Sequence, residues 1–151
     1  MTDRRQQAAT YAAAAQQSRD AGDFYDALLQ QRRAVAVLRD VGDRTALAHA
    51  VRHLADILVA AGNAKEASES ITEMLILYRA TPDAQPLDIA NAMRSAALHA
   101  EAIGDNETAR AFWIQARDRY APLDHVFERL TGKPGNPGVT EANAKIASLR
   151  F

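Results

Sequence analysis

The chain contains no cysteine, which removes disulfide bonds, thiol nucleophiles and cysteine-ligated zinc together and suits a reducing compartment. Aromatic residues make up only 6%, a poor supply for the aromatic and β-branched strands of a sandwich or barrel. No apolar run approaches the ~18 residues that a membrane span requires. The basic start Met1-Thr-Asp-Arg-Arg is followed by no apolar core of the kind an export signal carries. An excess of one charge is missing as well: the formal net charge is −1, with both signs interspersed, so no overall field draws the chain to nucleic acid or to an anionic membrane. Together these absences predict a soluble, cytoplasmic protein with no nucleic-acid or membrane partner.

What the chain does have is alanine and regularly placed glycine. A hydrophobic fraction of 48% comes largely from alanine, the best helix former and the smallest side chain that still fills a helix contact. At 151 residues one ordinary domain is expected, burying roughly two thirds of the unfolded surface. The stretch from Leu54 to Tyr78 reads as a helix, a corner at Gly62 and a second helix folded back on the first. The same corner stands at Ala21-Gly22-Asp23, with Ala27 beyond it, and at Ile103-Gly104-Asp105, with Ala109 beyond it.

Aligned on Gly22, Gly62 and Gly104, the repeats are 40 and 42 residues apart. Seven positions before each glycine stand Ala15, Ala55 and Ala97; five after it stand Ala27, Ala67 and Ala109; twelve after it stand Ala34, Met74 and Ala116. Small side chains where two helices cross let their backbones approach, and self-similarity at this period marks a stacked helical array. An all-α fold of three helical hairpins follows, with repeats over about 6–40, 44–80 and 86–121.

Within that frame Phe24 to Arg39, Arg44 to Ala60, Lys65 to Arg79 and Leu87 to Ala102 read as helices. Leu47, Val51, Leu54 and Leu58 form one apolar stripe of period 3.6. The prolines of Thr81-Pro-Asp-Ala-Gln-Pro86 break the helical pattern between the second and third hairpins. A short helix over 122–131, carrying Leu123, Val126, Phe127 and Leu130, is expected to cap the stack. Residues 132–139 read as a flexible loop, and 140–151 as a tail helix capped by Thr140.

The corner glycine with its paired small residues resembles the tetratricopeptide repeat, whose nominal period is about 34 residues. The longer period here, and the segment Gln85-Pro-Leu-Asp-Ile-Ala-Asn-Ala, are similar to the longer-helix variety found in kinesin light chains. The resemblance covers about Gln6 to Pro122 and implies an α-α superhelix that binds a peptide, tail or helix of another protein in its concave groove. Departures stand beside it. Only Tyr11 matches the family's aromatic near the start of a first helix, and Ala13, His53 and Ser95 replace the asparagine row of the kinesin-type groove.

In such a stack each first helix leaves a narrow inner stripe uncovered. Here the expected groove residues are Gln16 and Arg19 beside Ala9 and Ala12, then His49, Arg52, His53 and Asp56, then Asn91, Arg94, Leu98 and Glu101. Arg52 and Arg94 occupy equivalent repeat positions and are expected side by side, where two guanidinium forks suit an acidic group or a C-terminal carboxylate. The same residues also read as solvated faces, with Asp56 and Glu101 neutralising the arginines. His49, His53 and Asp56 share a helix face at metal-ligand spacing, yet Ala50 stands where a zinc-hydrolase helix carries glutamate and no fourth ligand is evident. Phe112 and Trp113 align with Ala116 and Tyr120 as core. The glycine-rich Gly132 to Gly138 lacks phosphate-loop spacing, no catalytic grouping is visible, and no cofactor is expected. A partner-binding module is the leading expectation. The alternative is a self-association or regulatory module, a homo-oligomer in one form, with the groove or open end filled by the tail from Thr140 to Phe151 of its own or a neighbouring subunit.

Overall fold

A computed structural model describes residues 3–151; Met1 and Thr2, where the segment judged to lack an export signal begins, lie outside the described residues. The chain forms two compact units, Met1–Pro82 and Asp83–Phe151, divided inside the proline linker. The first holds α1 (Arg4–Asp20), α2 (Phe24–Val41), α3 (Arg44–Ala60) and α4 (Ala64–Arg79). The second holds α5 (Pro86–Ala102), α6 (Asn106–Tyr120), a 3-10 turn (Ala121–Leu123), α7 (Asp124–Thr131) and α8 (Pro137–Ser148). The fold is all-α, with no strand among the described residues, and none of their helices is long and apolar enough to cross a membrane.

The three corners are one local structure made three times. Gly22, Gly62 and Gly104 sit at φ of 80°, 83° and 81°, a left-handed conformation that costs a side chain about 1–2 kcal/mol and glycine almost nothing. The next residue folds its N–H back onto the preceding helix: Asp23 onto the Ser18 carbonyl at 2.8 Å, Asn63 onto Leu58 at 2.8 Å and Asp105 onto Ala100 at 2.9 Å. These bonds satisfy carbonyls that a helix end otherwise leaves open. The Asp23 and Asp105 carboxylates then accept from the backbone N–H of Asp26 and Thr108, capping α2 and α6. So tight a turn folds the second helix back antiparallel, and α1 packs on α2, α3 on α4 and α5 on α6.

All nine aligned positions, Ala15, Ala27, Ala34, Ala55, Ala67, Met74, Ala97, Ala109 and Ala116, have no exposed surface. In the first unit Ala15, Ala27, Leu28, Ile57, Leu58 and Ala67 form one core, flanked by Phe24, Leu54 and Val59. Buried Gln31 ties α2 to α3 by donating to the Ala50 carbonyl at 2.9 Å. Ion pairs from Arg32 to Glu66 and Arg39 to Glu73 join the exposed faces of α2 and α4, each contributing up to about 1 kcal/mol.

The C-terminal part departs from expectation. The helix over 124–131 buries none of its residues, and it is α8 that packs against α6, so the tail covers the last hairpin and α7 bridges to it. That tail helix begins at Pro137, inside the stretch read as loop, because Asn136 rather than Thr140 caps it, its side-chain oxygen accepting from Val139 N–H at 3.0 Å. Asparagine followed by proline at the first helical position is a start signal, masked in the sequence by the neighbouring glycines.

Candidate functional site

The expected groove residues fall on two faces, one in each unit. In the first unit, Gln16 and Arg19 project from α1, and His49, Arg52, His53 and Asp56 from α3, where the i, i+4 spacing stacks side chains on one stripe. His49 is exposed, Arg19, His53 and Asp56 are half-buried, and Arg52 is only 8% exposed. That last value differs from the open cation expected. The Arg52 guanidinium lies along the helix, with one Nη 3.5 Å from Asp56 Oδ2 and the other 3.4 Å from His53 Nε2. Its Nε is buried with no hydrogen-bond partner among the described residues.

His53 Nε2 also lies 3.1 Å from His49 Nε2. Because Arg52 can only donate, His53 Nε2 must accept, which places the His53 proton on Nδ1 and makes His49 Nε2–H the donor to it. Protonating His53 would break both contacts inside a partly dry site. Burial first, then the nearby Arg52, His49 and Arg19, hold its pKa down at about 3, so the ring is neutral at physiological pH. Arg19 of α1 thus stands close enough to act electrostatically on α3, and its guanidinium has no hydrogen-bond or ion-pair partner among the described residues. Gln16 donates to Asp20 on the same helix at 2.8 Å. The metal alternative does not fit this arrangement: among the described residues no three His, Cys, Asp or Glu side chains are grouped to hold an ion, and a guanidinium occupies the approach to His53 Nε2.

In the second unit α8 meets the face expected to be open. Arg94 of α5 donates from Nε and Nη2 to Glu141 of α8 at 2.6 and 3.1 Å. Glu101 accepts from Trp113 Nε1 at 2.7 Å and from Lys145 of α8 at 3.0 Å. Asn91 Oδ1 accepts from the Tyr120 hydroxyl at 2.5 Å, and Leu98 is half-buried. These groove residues therefore have partners within their own unit. Glu141 and Lys145 of the tail, and Trp113 and Tyr120 of α6, belong to this face and were not anticipated in it, although Glu141 and Lys145 at i, i+4 offered a hint. Arg52 and Arg94, equivalent by repeat position, have different surroundings: one is buried against its own helix, the other clamps a distant carboxylate.

Neither a family model nor a curated protein matches this chain.

Proposed function

We propose that this chain is a tetratricopeptide-like interaction module, working in the reducing cytoplasm, that binds an acidic segment or C-terminal carboxylate of a partner protein on the α1–α3 face. The observation carrying this reading is the unpartnered guanidinium of Arg19 beside a neutral His53 and a buried Arg52. A half-buried cation has lost part of its hydration without gaining a counter-charge, and an incoming carboxylate supplies one in a bidentate geometry. No catalytic role is proposed for any residue.

The test uses short labelled peptides ending in aspartate or glutamate, each with a free or an amidated C terminus, titrated with the full chain in fluorescence anisotropy. Arg19→Ala removes one charge-assisted contact, worth about 1.5–3 kcal/mol, so affinity should fall about tenfold or more. Because Arg19 holds nothing else in place, thermal stability should not change. Equal binding by this variant, or no binding of any acidic peptide by the unaltered chain, contradicts the proposal.

A second reading, a regulatory module whose tail fills its own binding face, is favoured in the second unit by the ion pairs from α8 to Arg94 and Glu101. On this reading the α5–α6 face is reserved for a helix, and α8 is the resident one.

A further inference from the structure

Resting on that second reading, we propose that α8 is exchangeable between copies: the α5–α6 face accepts α8 from a second molecule of this chain in the same register, giving a reciprocal dimer. Apart from the bond from its cap Asn136 to Asp124 of α7, the side-chain partners of α8 among the described residues are on α5 and α6, so an α8 arriving from another copy meets the same partners there. The hold is polar and directional. The α5 face offers a cation at Arg94 and an anion at Glu101, and α8 answers with Glu141 and Lys145, so a reversed helix would put like charges together. The apolar part is small, since only Gly138 and Ala142 of α8 are buried.

The approach at Gly138 selects this particular helix. A methyl group there would lie 2.5 Å from Tyr120 Cγ, so only a helix with glycine at that position, and Glu three and Lys seven residues later, reproduces the seat. Another copy of α8 meets that requirement in full.

The connection allows the exchange. Residues 132–136, which include Pro134 and two glycines at positive φ, reach up to about 17 Å when extended, and α7 before them has no buried residue, so it can stay against Tyr120 through Phe127 while the loop beyond it opens. Domain exchange of this kind makes a dimer at low cost because no new type of contact is needed. In the unaltered chain the tethered α8 competes at a millimolar effective concentration, so the closed monomer prevails in dilute solution.

Complementary charge reversal tests the exchange in the full chain. Arg94→Glu alone faces Glu141, and Glu141→Arg alone faces Arg94; in each, α8 should be released, shown by faster amide exchange in α8 and altered Trp113 emission, with the mass remaining that of a monomer. Mixed in equal amounts at about 0.1–1 mM, the two variants offer matched charges only across molecules. Light scattering should then give twice the monomer mass, with α8 protection regained, while Arg94→Glu/Glu141→Arg in one chain stays monomeric and protected. Release of α8 in both single variants followed by a mixture that stays monomeric overturns the exchange and leaves the second reading intact. Undisturbed α8 protection in the single variants overturns both, because the ion pair would then not govern the seat.

Discussion

Gly138→Ala is the substitution for which the structure makes the sharpest demand. The added Cβ would stand 2.5 Å from Tyr120 Cγ and 2.7 Å from both Cδ atoms, far inside contact distance, and the ring has little freedom to retreat. Tyr120 is 2% exposed, its hydroxyl is bonded to Asn91, its carbonyl accepts from Asn136 at 2.8 Å and its ring lies against Phe127. Alanine is the better helix former by about 1 kcal/mol, so local propensity and packing pull in opposite directions. Overpacking of a well-filled site costs about 1–3 kcal/mol, which outweighs the propensity gain over most of that range. With a net loss of up to about 2 kcal/mol the open population of α8 rises by up to about thirtyfold. Native-state hydrogen exchange should show faster exchange confined to the amides of α8, with α1 to α4 unaffected. Unchanged or slower exchange in α8 would mean that the helix does not sit against Tyr120 at the distance described, and the account of the tail would fail.

Two further outcomes follow from the first unit. Ala67→Leu places three extra heavy atoms where Ala67 has no exposed surface beside Ala15 and Leu58, so urea unfolding should show a loss of about 1–3 kcal/mol; an unchanged midpoint would argue against close helix crossing. His53 has a folded pKa of about 3 against about 6.5 when free, so the unfolded chain binds the proton first, and stability falls as pH drops from about 6.5 towards 3, by about 2 kcal/mol at pH 5. His53→Gln should flatten that slope between pH 7 and 5; an unaltered slope would place its origin elsewhere.

The corners were legible because their causes are local. A positive φ wants glycine, a helix start wants a short acceptor such as Asp23 or Asp105, and a close crossing wants alanine, so each requirement leaves its mark within a dozen residues. The seat of α8 left no such mark. Arg94 and Glu141 are 47 residues apart, and an arginine on a solvated face looks the same in sequence whether it waits for a partner or already holds one. Arg52 illustrates the converse, since its repeat position is that of an open cation while its guanidinium folds onto His53 and Asp56 of its own helix. The histidine pair could be read from i, i+4 spacing, but that Arg19 bears on it required α1 to lie beside α3. Asn136 and Pro137 carried a start signal that the glycines on either side disguised as loop.

Amide and side-chain NMR of the full chain, recorded while an acidic C-terminal peptide is added, tests the proposed function most directly. The account predicts shifts that saturate and cluster at Arg19 Nε, His49 and His53, with Arg94 and Glu141 unmoved because they are already paired with each other. Shifts confined to α5, α6 and α8, or a first unit that ignores every acidic peptide offered, would contradict it.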